Sequence, residues 1–539
     1  MKSVGLKKLF LYLTGFFCGM SVMAIELGAS RLMAPYFSSS QVVYTIIIGT
    51  VMIAMAIGNI LGGKMADKYK NPDKLFFMIF IAAVWICLIP VTGKYIIAGI
   101  ALLLAASPLG SNFLVWAAFL SCLVVFVFPL LVLGMVTPNL IKFAVGNLNE
   151  NGKVVGTIEA LNTIGSIIGT FLPTFVTIPF IGTSLTFIIF ACVLFIICLA
   201  YTFFVRPKLR REILFSIVSI AIVFSSLFGA NITGIAFWTN TTVYEGESIY
   251  NYLRVEDKSD RVILSTNVLF GVQSVKMKTN DMTSMYYDYA LASNSMVKDN
   301  EGQTDILILG LGTGTFASES MAYYDNLAID GVEIDSQIVD LAYQYFDLPE
   351  SVNAYIMDGR SYITSCEKKY DIIMVDAYQD ITIPFQMSSV EFFTIVKEHL
   401  TPGGVMVVNM NMKTNKEGGI VDYLEGTIKN VFDNAYTVDI GTNRELFACN
   451  GFDLKESLSQ NKNKLAREDL KNHLADIENK LVYVEDKPYI LTDDKAPVEL
   501  LGMDVLDDMI FDELEYYRNK LKGKSISEII EMVMNGELF

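Results

Sequence analysis

Seven stretches of about 20 apolar residues follow one another in the first 235 positions, near 9–30, 42–63, 75–92, 113–135, 157–180, 183–205 and 212–233. Each is long enough for a helix to cross the hydrocarbon core of a bilayer, where a segment has to satisfy its own backbone hydrogen bonds. So many runs in series exceed what a soluble core can bury, so this half of the chain has to fold as packed apolar helices. A further piece, Tyr95 to Ala106, is short for a span and would give an eighth crossing only if tilted or re-entrant. Lys2, Lys7 and Lys8 precede the first run and no small-residue cleavage site follows it, which points to an anchor and not a removable leader.

Charge divides the chain at the same place. Residues 1–235 hold 15 Lys+Arg and 6 Asp+Glu, while the remainder holds 26 and 51. The expected organisation is a transmembrane domain of about seven helices over 1–235 and a β segment over 236–300. A nucleotide-binding catalytic domain would follow over 301–450, then a helical extension over 451–539 whose last part, 506–534, is amphipathic. Within the runs, Gly58 with Gly62 and Gly165 with Gly169 form small-xxx-small faces for close helix packing. Glu26 and Arg31 are ionisable groups that need a partner or a cavity. Gly63-Lys-Met-Ala-Asp67-Lys68 resembles the loop signature of major facilitator transporters, although for so short a motif helix packing is the preferred explanation over transport. No basic patch argues for nucleic acid. Five of the seven cysteines sit in the apolar runs, no C-x-x-C occurs and the two histidines, His399 and His473, lack ligand spacing. No metal site and no Ser-His-Asp triad is therefore expected.

The chemistry-bearing stretch runs from Asp305 to Asp376. Asp305-Ile-Leu-Ile-Leu309 has strand length and breaks into Gly310-Leu-Gly312-Thr-Gly314-Thr315, followed by a helix-like segment to Tyr324. Glycines let the backbone turn tightly and approach a ligand, and the following helix offers unpaired N–H groups. A second strand-like run, Leu327 to Ile334, delivers Glu333 and Asp335 about 20 residues on, the distance at which a βαβ unit sets a carboxylate beside a ribose. Asp358-Gly359 follows Ala354 to Met357, and Asp376 follows Tyr370 to Val375. A glycine turn alone also serves to pack a strand on a helix. Carboxylates at the ends of successive strands add the place where open α/β sheets bind ligands.

At these residues the chain resembles the spermidine synthase (polyamine aminopropyltransferase) family, whose domain is related to class I methyltransferases. The resemblance covers Tyr250 to about Asn409, with Gln273, Tyr286-Tyr287-Asp288, the glycine turn, Val332-Glu-Ile-Asp335, Asp358-Gly359, Asp376 and Leu400-Thr-Pro-Gly-Gly-Val405. Asp376-Ala-Tyr378, Ile383-Pro-Phe385 and Leu491-Thr-Asp-Asp-Lys-Ala-Pro-Val-Glu499 extend it to the family's membrane-fused branch. The implied fold is a multi-span α-helical membrane domain fused to an α/β class I methyltransferase-like (Rossmann-type) domain with a small N-terminal β segment.

The resemblance also implies roles. Gln273, Gly310, Gly312, Gly314 and Gly359 would line the donor, Glu333 would bind the ribose hydroxyls of decarboxylated S-adenosylmethionine, and Asp358 the adenine amino group. Asp376 would be the acid-base group that deprotonates the attacking amine, with Tyr286, Gln379 and Asp380 on the amine side. No tightly bound cofactor is implied, and a homo-oligomer is. Two positions depart from the soluble synthases: Thr313 and Gln379 stand where they carry aspartates, although Asp380 follows. Both changes remove negative charge where cations are expected.

The resulting expectation is aminopropyl transfer from decarboxylated S-adenosylmethionine to a polyamine such as putrescine. Its rivals are methyl transfer from S-adenosylmethionine in the same pocket, a transporter with a soluble domain that senses polyamines or nucleosides, and a soluble half used for assembly. The protein is expected in the cell membrane as a multi-pass protein. The positive-inside rule puts Lys64, Lys68, Lys70, Lys74, Arg206, Lys208, Arg210 and Arg211 in the cytoplasm, so that seven spans leave the soluble half outside. A cytosolic nucleotide donor favours a cytoplasmic soluble half and an eighth crossing, and that functional argument is preferred.

Overall fold

The computed structural model describes residues 4–502 apart from 38–39, 106–112, 146–150, 206, 208, 233, 236–240, 268–271, 280, 299–301, 378–382 and 412–415, with scattered positions beyond 502. Gln379 and Asp380, and nearly all of the expected tail helix, therefore lie outside the described residues.

Nine helices make up the described part of the apolar half: α1 (Val4–Phe37), α2 (Gln41–Lys68), α3 (Asp73–Ala105), α4 (Phe113–Val125), α5 (Val127–Gly134), α6 (Val136–Ala144), α7 (Asn151–Leu172), α8 (Ile178–Ala200) and α9 (Leu209–Ile232). Six helical stretches among the described residues are long and apolar enough to cross a membrane. One of them, Asn151–Val205, contains two of the expected runs and turns at Gly182, whose φ of 83° no other residue type adopts cheaply. Tyr95 to Ala105 continues α3 as one helix, so the eighth crossing that the sequence left open is absent there. The glycine faces act as close contacts. A methyl at Gly165 or Gly169 would overlap the carbonyl of Phe16 or Met20 on α1, and one at Gly58 or Gly62 would strike the Leu131 or Met135 backbone.

The helical half meets the rest of the chain at one set of helix ends. Near the end of α1, Arg31 donates to the Ile249 carbonyl. At the start of α8 the Thr183 hydroxyl donates to Glu247 at 2.6 Å, and on α3 the Lys94 ammonium donates to the Gly234 carbonyl at 2.8 Å. Lys64 and Lys68 at the end of α2, and Lys74 at the start of α3, sit at the opposite ends.

The leading β segment is an antiparallel meander of β1 (Thr242–Glu247), β2 (Tyr252–Asp257), β3 (Arg261–Thr266) and β4 (Ser274–Met277), followed by the short helices α10 (Tyr286–Ala290) and α11 (Ala292–Met296). Alternation of strand and helix then builds the main domain: β5 (Thr304–Leu309), α12 (Thr315–Tyr323), β6 (Leu327–Glu333), α13 (Ser336–Tyr345), β7 (Asn353–Ile356), α14 (Gly359–Ser365), β8 (Tyr370–Val375), α15 (Val390–His399), β9 (Leu400–Met410), α16 (Ile420–Val431), β10 (Asn434–Ile440), β11 (Asn443–Cys449), α17 (Leu454–Lys462), α18 (Glu468–Lys480) and β12 (Val482–Tyr483). Residues past 450 thus contribute two helices and the eighth strand of the sheet.

The sheet order is β12-β10-β11-β9-β8-β5-β6-β7, parallel from β5 through β9 and antiparallel beyond. Strands buried on both faces read as continuous apolar runs, which is why Asp305–Leu309 and Tyr370–Val375 show no polar alternation. Ile306, Ile308, Ile372, Met374, Val405 and Val407 pack under α10, α11, α17 and α18. Leu307, Leu309, Ile373, Val375, Met406 and Val408 pack on α14, α15 and α16. The chain therefore joins a bundle of long apolar helices to a Rossmann-like, methyltransferase-type α/β domain carrying a small β segment.

Candidate active site

The strand register lines up one row of residues along the edge where β5, β6 and β8 end. Leu309 pairs with Val332 and with Val375, Val375 with Val408, and Asn409 with Glu445. One step further along each strand, Glu333, Gly310, Asp376, Asn409 and Glu445 stand side by side on β6, β5, β8, β9 and β11. Loops leave the sheet here, so side chains in this row face a crevice and not a strand continuation.

At the centre is Asp376. Its N–H donates to the Leu309 carbonyl at 2.8 Å, which fixes the backbone at the strand end. One carboxylate oxygen accepts from the Tyr286 hydroxyl at 2.7 Å and the other from the Asn409 side-chain amide at 2.9 Å. Burial pushes this carboxyl up to about 7; the charge of Glu333 adds to the rise, and the two hydrogen bonds oppose it. The α10 ring that holds Asp376 itself lies against Tyr287, with centroids 3.9 Å apart and the rings tilted by 36°, and the Tyr287 hydroxyl donates to the Gln273 carbonyl at 2.7 Å. Gln273 thus enters the site region through its main chain.

The glycine turn forms as expected, with φ of 96°, 55° and 79° at Gly310, Gly312 and Gly314. A methyl at Gly310 would run into the Asp376 carbonyl, so the turn and the end of β8 are packed backbone on backbone. Glu333 accepts from the Gly312 N–H at 2.9 Å and, through its other oxygen, from the Asp335 N–H at 3.1 Å. It therefore braces the turn, a duty the sequence did not reveal. Burial raises its affinity for a proton against those two hydrogen bonds. Thr313 donates its N–H to Ser274 at 3.3 Å and the Thr315 hydroxyl bonds the Val275 carbonyl at 2.9 Å, which ties the turn to β4. The Thr313 hydroxyl itself is enclosed and has no hydrogen-bond partner among the described residues.

The remaining carboxylates are engaged locally. Asp335 caps α13 and also accepts from Ser248 at 2.5 Å and Asn251 at 3.1 Å, joining the meander to the sheet. Asp358 caps α14 through the Ser361 N–H at 2.8 Å, and Gly359 is that helix's first residue. The same helix is held by a fork from Arg360 to Asp493 at 2.7 and 2.6 Å, so part of the Leu491 to Glu499 motif has a supporting role. Sequence reasoning missed Asn409, Ser274 and Glu445. Asn409 carried a usable signal, a polar residue ending the apolar run Val405 to Val408; Glu445 carried none.

A Rossmann-like sheet with a glycine turn and carboxyls along its loop-bearing edge is the fold of class I methyltransferase-type domains. Residues 285–445 match the spermine/spermidine synthase domain. A probable polyamine aminopropyl transferase of Bifidobacterium longum is 47% identical over 350 residues, covering 61% of this chain and 77% of that protein. The polyamine aminopropyltransferase of Vibrio vulnificus is 28% identical over 279 residues, 49% of this chain and 92% of its own length. The crystal structure of a probable spermidine synthase from Corynebacterium glutamicum aligns over 46% of this chain and 90% of that one, at 20% identity and a TM-score of 0.36. The chain belongs to the spermidine synthase (polyamine aminopropyltransferase) family and is a transferase of the aminopropyltransferase type.

Proposed function

We propose that the protein is a membrane-bound enzyme that moves the aminopropyl group of decarboxylated S-adenosylmethionine to putrescine or a related amine. The observation that carries this reading is Asp376, a carboxyl whose proton affinity is raised to about 7 and which stands against the glycine turn. In the reaction an amine nitrogen attacks the methylene carbon bound to the sulfonium, the C–S bond breaks, and its electrons leave on sulfur as a neutral thioether. The amine's proton goes to Asp376, whose ionised form near neutral pH suits a general base. Gly310, Gly312 and Gly314 would take the nucleoside against the backbone, with Glu333 toward the ribose and Asp358 toward the base. Tyr286 would orient Asp376.

Thr313 supports a second reading, methyl transfer from S-adenosylmethionine, because a neutral residue there does not repel the carboxylate of that donor. Offering the full-length protein each donor with putrescine, and weighing the products by mass spectrometry, tests both. An aminopropylated amine is expected. A methylated amine would install the second reading, and a donor that binds without transfer would make the soluble half a sensor.

The membrane side also belongs to this proposal. The cytoplasmic placement favoured from sequence needs an eighth crossing, and α3 absorbs the only segment that offered one. With Lys64, Lys68 and Lys74 at the helix ends away from the α/β half, the positive-inside rule puts that half outside. An impermeant maleimide should therefore label Gln460→Cys, an exposed position, in intact cells carrying Cys366→Ser. Labelling only after permeabilisation would return the site to the cytoplasm.

A further inference from the structure

Glu445 is fully buried, and neither of its carboxyl oxygens has a hydrogen-bond partner among the described residues. Enclosing a carboxyl in this way is costly, and a fold keeps such a group where something else completes it. Burial, with the charge of Asp376 adding, raises its proton affinity well above the ordinary carboxylate range.

Its position says what could complete it. Glu445 lies opposite Asn409 on one side and Val438 on the other. Strand alternation puts it on the face of Phe447, Val407 and Tyr286, the face on which Asn409 reaches Asp376. Three carboxyls, Glu333, Asp376 and Glu445, thus occupy every second strand of the same row, with Gly310 and Asn409 on the strands between. Two strand spacings are about 9–10 Å. On the proposed reading the donor spans the first interval, from Glu333 to Asp376 over the glycines. The second interval, from Asp376 to Glu445, has Asn409 between the carboxyls, and the apolar Val438 ends the polar row. The Asn409 amide is oriented by Asn443, whose side chain donates to its oxygen at 3.0 Å.

We propose that Glu445 is the acceptor-side carboxyl, receiving the far ammonium of a diamine whose near nitrogen gives its proton to Asp376. This rests on the aminopropyl-transfer reading. A diamine enters as a dication; its reacting nitrogen is neutralised, and its other nitrogen keeps a charge that needs a counter-ion inside the site. Glu445 supplies that counter-ion, and the ammonium supplies the missing hydrogen-bond donors. Because Glu445 is enclosed, the amine has to displace the side chains of Tyr286 or Asn409, whose bonds to Asp376 its own N–H groups replace.

The test compares putrescine with n-butylamine, a monoamine of the same carbon count, as acceptors for the full-length protein. Glu445→Gln should raise the KM for putrescine at least about tenfold, the worth of one charge-assisted contact. It should leave the KM for butylamine and for the donor within about twofold, and Glu445→Asp should keep part of the preference for the diamine. Thermal unfolding of Glu445→Gln should occur no lower than in the parent, because an unpartnered buried carboxyl has been removed. Equal losses with both amines, or no loss with either, would overturn the role of Glu445 while leaving aminopropyl transfer intact. A parent that transfers to neither amine would overturn the underlying reading and this one with it.

Discussion

The two halves of the molecule bury polar groups in different ways. In the helical half they are mainly hydroxyls and amides that bond back to nearby backbone: Thr14 to the Phe10 carbonyl and Ser21 to that of Phe17, both at 2.9 Å, and Asn139 to those of Gly62 and Met135 at 3.0 and 2.8 Å. The α/β half instead encloses carboxyls. Glu333, Asp376 and Glu445 all have raised proton affinities, and so does Glu319, pushed up to about 9 by burial with the charge of Asp288 adding. Glycine differs as well, serving mainly helix contact in one half, with Gly182 the positive-φ turn there, and the positive-φ turn at Gly310, Gly312 and Gly314 in the other. Charged groups are few in the bundle, where Glu26 and Lys94 are enclosed and Asp73 pairs with Arg211 at 3.6 Å, so most of its enclosed polar groups are short hydroxyls, several of them turned back on their own helix. On the proposed reading a sheet edge can hold unbalanced acid because its ligand is a cation, which would make the carboxyl row a concession of stability to function.

The largest expected effect lies in the row. Asp376→Asn should lower turnover about 10²–10⁴-fold with donor affinity nearly unchanged in calorimetry, since on the proposed reading Glu333 and Asp358 carry the nucleoside. The Tyr286 hydroxyl can rotate to accept from the new amide, so the fold should persist. Unchanged turnover would remove the acid-base role and with it the reason for enclosing this group.

Gly169→Leu probes the other half. A side chain there has to displace the Met20 backbone of α1, at about 3 kcal/mol or more by the upper range for overpacking. Loss of the helical bundle with donor binding retained is expected, measured by unfolding in detergent beside calorimetry. Loss of both together would show that the halves fold as one unit, and the comparison would fail.

Glu333→Gln should weaken donor binding by about 1.5–3 kcal/mol. It should also lower the unfolding temperature, because an amide cannot accept from both the Gly312 and Asp335 N–H groups. Unaltered donor affinity would take Glu333 out of the binding site and leave it a brace.

The smallest effect is a pH dependence. Asp376 has a folded-state value of about 7, above the ordinary carboxyl value. Its protonated form is therefore favoured by folding, a contribution present below about pH 4 and lost as the pH rises through about 7. Asp376→Asn should accordingly unfold at a higher temperature than the parent at pH 8.5, with the gap worth about 1–3 kcal/mol, and the gap should close toward pH 5. A gap that does not change with pH would mean that Asp376 is not held protonated by burial.

Much of the fold and of the candidate site was legible because its determinants are local. Strand, glycine turn, helix, strand and carboxylate succeed one another within a few residues, and each step follows from backbone chemistry: positive φ at Gly310, Gly312 and Gly314, a cap at Asp358, a strand end at Asp376. Hydropathy likewise marked the helical half. It did not reveal that Tyr95 belongs to α3, because a helix runs on for as long as packing rewards it, and that reward comes from other helices. The bracing duty of Glu333 was hidden for a similar reason, since its partners lie on two different loops.

What the sequence determined by itself was the inventory and order of the parts: apolar helices, a glycine turn between strand and helix, and carboxylates at strand ends. Tertiary structure alone decided which of those parts share a row. Glu445 reaches the level of Asp376 only through the β8–β9–β11 register, and a slip of one residue would turn it to the opposite face. Register is set by the packing of two whole faces of the sheet, a sum over many distant side chains that no stretch of sequence contains.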